Sequence, residues 1–333
     1  MLTTTIGAYA VPDGLEIDDG AESDDRAKDA LDRATIDAVK EQVDLGIDIP
    51  ADGELGRGHA VRFHCRHLKG IHVEPLTEEQ RHGDAATSLP TITAPVLAGP
   101  AFMVRRWQVA QSATRKPVKT TLPGPMTIAE NVDDDVYQGD AAARGEALAL
   151  ALNVEIRRLA DAGCPVIQLG EPAFLRNLDD ALAFGLEHLD RCFHRVAKTT
   201  ERVVHLGAVQ ADAPDTDEDE RPDAEPKQLE TYAELATVLQ DVSVDTVAIE
   251  DARCPKDLSL LERFTRTKVI LGVIDVTTDE VEDMEAVRAR LLQAKDHIDL
   301  HRLIAAPDDG LRLTDKRLVR QKLRVLAEAA QSI

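Results

Sequence analysis

The sequence predicts an α/β fold, a (β/α)8 TIM barrel, on three observations. Eight short runs rich in apolar and β-branched residues recur along the 333 residues. Amphipathic stretches of helical period separate most of them. The strand runs are continuously apolar rather than alternating, as expected of parallel strands covered on both faces. Eight such units in one chain match a closed barrel. An open doubly wound sheet fits less well, because no G-x-G-x-x-G follows the first run.

In chain order, the strands are expected at 3–9 (TTTIGAY), 46–54 (GIDIPADGE), 118–124 (VKTTLPG) and 165–172 (PVIQLGEP). The other four are expected at 202–208 (RVVHLGA), 245–251 (DTVAIED), 268–275 (KVILGVID) and 302–308 (RLIAAPD). Helical periodicity marks 141–162, 179–198, 229–239, 282–298 and 314–330. Two segments break the alternation. Residues 72–100 read as an elaborated loop with a hairpin, and residues 210–227 as a solvated acidic loop. One barrel is expected to span residues 1–333.

Composition limits the function. The net charge is −22, from 61 acidic against 39 basic residues. Such a surface repels phosphate backbones, so nucleic acid is not an expected partner. Abundant acid with few lysines and few aromatics suits concentrated salt, where screening removes the self-repulsion. No apolar run approaches the ~18 residues of a membrane span, and residues 1–14 lack the pattern of a signal peptide. A soluble, cytoplasmic protein is expected. The four cysteines, 65, 164, 192 and 254, show no C-x-x-C spacing and read as reduced thiols.

In a barrel, the chemistry sits at the carboxyl ends of the strands. There the sequence places Asp52 and Glu54, then LPGP with Thr127, Glu171, His205, Glu250 with Asp251, Asp275, and finally Asp308 with Asp309. One imidazole among so many carboxylates suits a metal or a cationic substrate, since close carboxylates repel unless a cation or proton intervenes. For each member taken alone, an ordinary strand cap explains the residue equally well. His64 and His67 in HCRH, with Arg57, Arg62, Arg66 and Lys69, read as a basic helix face, with an anionic ligand tail as the functional alternative. Trp107 reads as packing.

These segments resemble the catalytic barrel of the cobalamin-independent methionine synthases. TTTIGAY is similar to that family's T-T-T-I-G-S-F, and DGELGR to its H-G-E segment. RRWQVAQSATRKPVKTTLPGPMTI follows its W-x-x-x-A-Q-S-x-T-x-K-P-V-K-G-x-L-T-G-P-V-T-I. VIQLGEPAF resembles I-Q-I-D-E-P-A-L, VAIEDAR resembles I-E-x-S-R, and PDDGL resembles P-D-C-G-L. The resemblance runs in order over nearly the whole chain. It implies methyl transfer from a reduced folate or related pterin to homocysteine, with zinc and without cobalamin. Zinc in that family lowers the pKa of the bound thiol and presents a thiolate to a poor methyl donor.

Carried over position by position, the resemblance implies a metal set of His205, Glu250 and Asp309. The family's two cysteine ligands fall on Gly207 and Asp309. One nitrogen and two carboxylates suit a harder ion, or bind zinc less tightly than thiolates do. Ile6, Gly7, Glu54 and Glu171 are implied for the substrate amino acid, with Ala8 and Gly170 standing where the family has serine and aspartate. Asp275 and Thr277 are the implied catalytic positions, with threonine in place of a histidine. Cys254 is either a replacement thiolate or an ordinary loop cysteine. Two alternatives stay open: a zinc-less barrel that binds the methyl donor or a second, catalytic barrel protein, and a barrel enzyme with another thiol or acid substrate.

Overall fold

The computed structural model describes residues 1–12, 15, 25–77, 88–207, 225–312 and 314–333. The strands of the main sheet are β1 (Leu2–Thr3), β4 (Lys119–Pro123), β6 (Val166–Gly170), β7 (Glu201–Leu206), β8 (Thr246–Ile249), β9 (Lys268–Ile274) and β10 (Leu303–Pro307). They lie in the order β1-β10-β9-β8-β7-β6-β4, every pair parallel. The two edges are joined by the run expected as the second strand. It makes only two parallel bridges, Thr4 to Ile49 and Ala51 to Lys119. Pro50 between them has no N–H to give, and its carbonyl accepts from Lys119 N at 2.8 Å. The curled sheet is thus closed in the manner of a (β/α)8 barrel, with a second strand much shorter than the 46–54 expected.

A small hairpin departs from the barrel plan. It pairs β2 (Leu68–His72) with β3 (Thr91–Ala98), and β3 also takes β5 (Asp133–Asp134). The expected hairpin is therefore present, beginning four residues earlier, and residues 78–87 of its loop lie outside the described residues. So does the expected acidic loop from 210 to 224.

The labelled helices are α1 (Asp25–Asp44), α2 (Ala60–His67), α3 (Met103–Gln111), α4 (Pro125–Glu130), α5 (Ala141–Asp161), α6 (Leu186–Cys192), α7 (Glu225–Val238), α8 (Met284–Lys295) and α9 (Lys316–Gln331). The helix expected at 179–198 is shorter and carries a π-helical stretch at Ala181–Gly185. Asp140, Asp283 and Asp315 cap the N-termini of α5, α8 and α9 by accepting backbone N–H bonds. The barrel interior is a small apolar cluster of Ile6, Val166, Val203, Ala248, Ile270, Ile304 and Ala306. The larger core lies outside it, between strands and helices. Trp107 belongs to that outer core and donates to Val118 O at 3.1 Å. Among the described residues no helix is long and apolar enough to cross a membrane.

Candidate active site

A cavity of about 210 Å³ opens at the carboxyl ends of the strands, between the loop after β1, the turn at 52–58, helix α2 and the loop after β10. Gly7, Glu54, His205 and Asp309 all line it. Backbone constraints explain why. Gly7 adopts φ +55, and a Cβ there would lie 3.4 Å from Gly310 Cα. Gly310 itself comes so close to Ala8 that a Cβ would meet its nitrogen at 2.9 Å. Leu311 N donates to Ala8 O and Tyr9 N to Gly53 O. The loop after β1 is therefore clamped between the loop after β10 and the 52–58 turn.

Glu54 takes the left-handed conformation at φ 52, which costs a non-glycine residue free energy and persists only where neighbours enforce it. The enforcing contacts are visible. Arg57, 2% exposed, forms an ion pair with Asp52 and donates to Thr121 O at 2.8 Å. Asp52 also accepts from Thr120 and from the backbone N–H of Glu54. Arg312 donates to the carbonyls of Arg57 and Gly58.

His205, at the end of β7, is buried, and its Nε2 lies 3.2 Å from the carbonyl oxygen of Asp308. A carbonyl only accepts, so Nε2 carries the proton and Nδ1 is bare. Burial, with the charge of Lys119, pushes its pKa down to about 4, so the ring is neutral. The ring also lies over Gly207, where a Cβ would approach Cε1 to 2.5 Å. Gly170, by contrast, faces open space.

The doubled carboxylate after β10 divides its work. Asp308 accepts from the backbone N–H groups of Asp251, Ala252 and Arg253 at 2.8–3.0 Å and so shapes the loop after β8. Asp309 faces the cavity. Burial first, and Glu250 next, hold its carboxyl well above the usual range, against the hydrogen bond it accepts from Gly310 N. Glu250 itself is buried directly after β8.

Three expected site residues are occupied elsewhere. Glu171 does not line the cavity. Its two oxygens accept from Met126 N, Thr127 N and Thr127 Oγ1 at 2.6–3.0 Å, capping α4. Asp275 and Thr277 close on each other, Asp275 Oδ1 accepting from Thr277 N at 2.8 Å and Oγ1 at 2.7 Å. This turn lies outside the cavity lining, so the catalytic roles expected there have no geometric support. Ile6 is in the barrel interior, below Gly7.

The basic helix face is also corrected. Arg57, Arg62 and His64 are buried, and Arg62 binds the carbonyls of Ser88 and Glu74. His64 is neutral. Burial, with the charges of Arg57, His67 and Arg106, pushes its pKa down to about 3. An unfolded histidine titrates near 6.5. Stability from this ring is full above that pH and is lost as pH falls toward 3. At pH 5 the loss amounts to ~2 kcal/mol. Unfolding midpoints measured at pH 7.5 and 5 should fall further for the natural chain than for His64→Phe.

Two buried residues matter to the site although nothing marked them as candidates: Gln168, which lines the cavity, and Lys119, which holds it from behind. Lys119, fully buried, donates to Thr5 O at 2.6 Å and to Gln168 Oε1 at 2.7 Å, and burial pushes its pKa down to about 7. A lysine inside a continuously apolar strand was the available signal.

The metal that the resemblance implies does not fit the residues as they stand. Among the described residues no three His, Cys, Asp or Glu side chains converge as ligands. His205 offers only Nδ1, since Nε2 is engaged with a carbonyl, Asp309 has one oxygen taken by a backbone N–H, and no cysteine lines the cavity, Cys254 included.

A barrel whose strand ends enclose a ligand-sized cavity around buried ionisable groups is an enzyme-type scaffold. Residues 1–212 and 227–332 match the family model described as the catalytic domain of cobalamin-independent synthase, and the chain belongs to that family. It is 28% identical to a methionine synthase of Thermococcus kodakarensis, over 96% of this chain and 90% of that protein. It is 29% identical to the 5-methyltetrahydropteroyltriglutamate–homocysteine methyltransferase of Erwinia tasmaniensis, over 99% of this chain and 43% of that protein. The solved B12-independent methionine synthase of a Shewanella species, in complex with selenomethionine, superposes with a TM-score of 0.86 at 27% identity, covering 99% of this chain and 96% of that one. The expected family and barrel fold are borne out.

Proposed function

We propose that this chain transfers a methyl group from a methylated reduced folate or related pterin to the sulfur of homocysteine, giving methionine, in the cavity at its strand ends. The observation that carries the reading is Glu54, a carboxylate held by a left-handed backbone in the wall of that cavity. It receives the substrate ammonium, while the backbone at Ile6 and Gly7 borders the amino-acid end. The bare Nδ1 of His205 accepts from the thiol. Binding both substrates side by side lowers the barrier by orientation. The sulfur–carbon bond forms as the nitrogen–methyl bond breaks, and the thiol proton ends on the pterin nitrogen. Cobalamin has no part in this, in line with the family. The acid-rich surface suits a salty cytosol, and the free state of Cys65, Cys164, Cys192 and Cys254 suits a reducing one.

A second reading is favoured by the failure of His205, Glu250 and Asp309 to converge as ligands. In it, the chain binds the methyl donor and works beside a second methionine-synthase-like barrel protein. One experiment separates the two. The protein is purified in high salt without chelator, its zinc is measured, and methionine is assayed from homocysteine and 5-methyltetrahydrofolate. We expect well under one zinc per chain, together with methionine formation. Stoichiometric zinc would mean that the strand-end residues do hold the metal. Methionine formed only after adding the partner barrel would select the second reading, and none in either case would sink both.

A further inference from the structure

Three buried polar atoms of neutral side chains that have no partner among the described residues line the same cavity: His64 Nε2, Thr121 Oγ1 and Gln168 Nε2. Their residues are 1%, 8% and 1% exposed. Buried polar groups left unpaired are costly, so three of them around one cavity point to a ligand that pairs with them.

The hydrogen bonds behind these atoms fix what each offers. His64 Nδ1 lies 2.7 Å from Ala60 O, one helical turn back in α2. The carbonyl only accepts, so the proton sits on Nδ1 and Nε2 is an acceptor. The ring cannot easily turn, since Phe63 and Phe102 meet it edge-on at 5.2 and 5.6 Å between centroids. Gln168 Oε1 accepts from Lys119, which leaves the Gln168 amide nitrogen as a donor. Thr121 Oγ1 does either. The cavity thus presents a neutral acceptor and a neutral donor beside the apolar side chains of Val61, Leu89 and Pro90; the guanidiniums of Arg62 and Arg312 also line it, with their terminal nitrogens on backbone carbonyls. The complementary ligand is flat and uncharged at that end, with N–H and C=O groups on its edge. A pterin ring has that edge. Homocysteine, with two full charges, does not.

We propose that His64 is a recognition residue for the methyl donor, its Nε2 accepting from a ring N–H of the reduced pterin, with Gln168 and Thr121 meeting the ring's other polar atoms. The inference rests on the proposed methyl-transfer reading. It adds the residues that select the donor.

Titration calorimetry with 5-methyltetrahydrofolate, and separately with homocysteine, tests it on the full chain. His64→Phe keeps a ring but removes the acceptor. His64→Asn keeps the bond to Ala60 but is too short to replace Nε2. His64→Gln can place an amide oxygen where Nε2 was. We expect the Kd for 5-methyltetrahydrofolate to rise about tenfold in His64→Phe and His64→Asn, and to stay within about threefold in His64→Gln. Homocysteine affinity should not change. The two removal variants make the test independent of whether either one folds poorly. Unchanged donor affinity in a folded removal variant overturns the proposal. Equal loss in His64→Gln overturns it too, since the ring's packing would then be the cause. A natural chain that binds homocysteine but no 5-methyltetrahydrofolate overturns the donor assignment itself, and is recognised without any variant.

Discussion

Asp52→Ala is expected to destabilise the protein by about 3–5 kcal/mol, because it leaves the Arg57 guanidinium buried without its counter-charge. Asp52 and Arg57 are each 2% exposed. Among the described residues, the remaining hydrogen bond of the guanidinium is to a single carbonyl, that of Thr121. The loss should appear in urea or thermal unfolding. A change below ~1 kcal/mol would mean that water reaches the guanidinium and that the pair is not a buried one. Replacing both partners by apolar residues, Asp52→Leu with Arg57→Met, should recover part of the loss, as for other buried pairs. Recovery will be incomplete, because Asp52 also accepts from Thr120 and from the Glu54 N–H. The double variant should remain poorly active, since that N–H bond helps to set the Glu54 backbone.

Glu54→Gln is expected to raise the KM for homocysteine about 100-fold. Removing one charge of a buried pair costs roughly 2–5 kcal/mol, and each 1.4 kcal/mol is a factor of ten. Glutamine keeps the shape and the same φ, so the unfolding midpoint should change little, which separates this variant from Asp52→Ala. Donor affinity should be preserved. An unchanged KM for homocysteine would remove Glu54 from the substrate site and would take with it the observation on which the proposed function stands.

Much of the fold was legible because its strands are buried on both faces, and such strands read as unbroken apolar runs. The strand expected at 165–172 is found at Val166–Gly170, and that at 268–275 at Lys268–Ile274. The second strand misled because Ile47, Ile49 and Ala51 look like a strand, whereas Pro50 between the two bridges has no N–H to give and Gly46 and Gly53, at positive φ, bound the run on either side. The site was legible as a set of positions but not as a set of directions. Each carboxylate expected at a strand end is there, but the sequence does not say whether it faces the cavity or a backbone N–H. Glu171 faces the start of α4, Asp308 the loop after β8, and Asp275 its own turn. His64 was visible only as part of a basic run. Its ring is buried against Phe63 and Phe102, and the latter lies far away in sequence.

The barrel wall has a seam. Strands β4 and β6, or β6 and β7, share ladders of continuous pairs, but at Ile49 and Ala51 the wall is held by two isolated bridges. A wall this unevenly fastened breathes first along its weakest line. Amide protons at 47–53 should therefore exchange with solvent sooner than those of β6 and β7, and more slowly once homocysteine is bound. Glu54 hangs from that line, so the opening of the seam and the arming of the substrate site are coupled in one stretch of backbone.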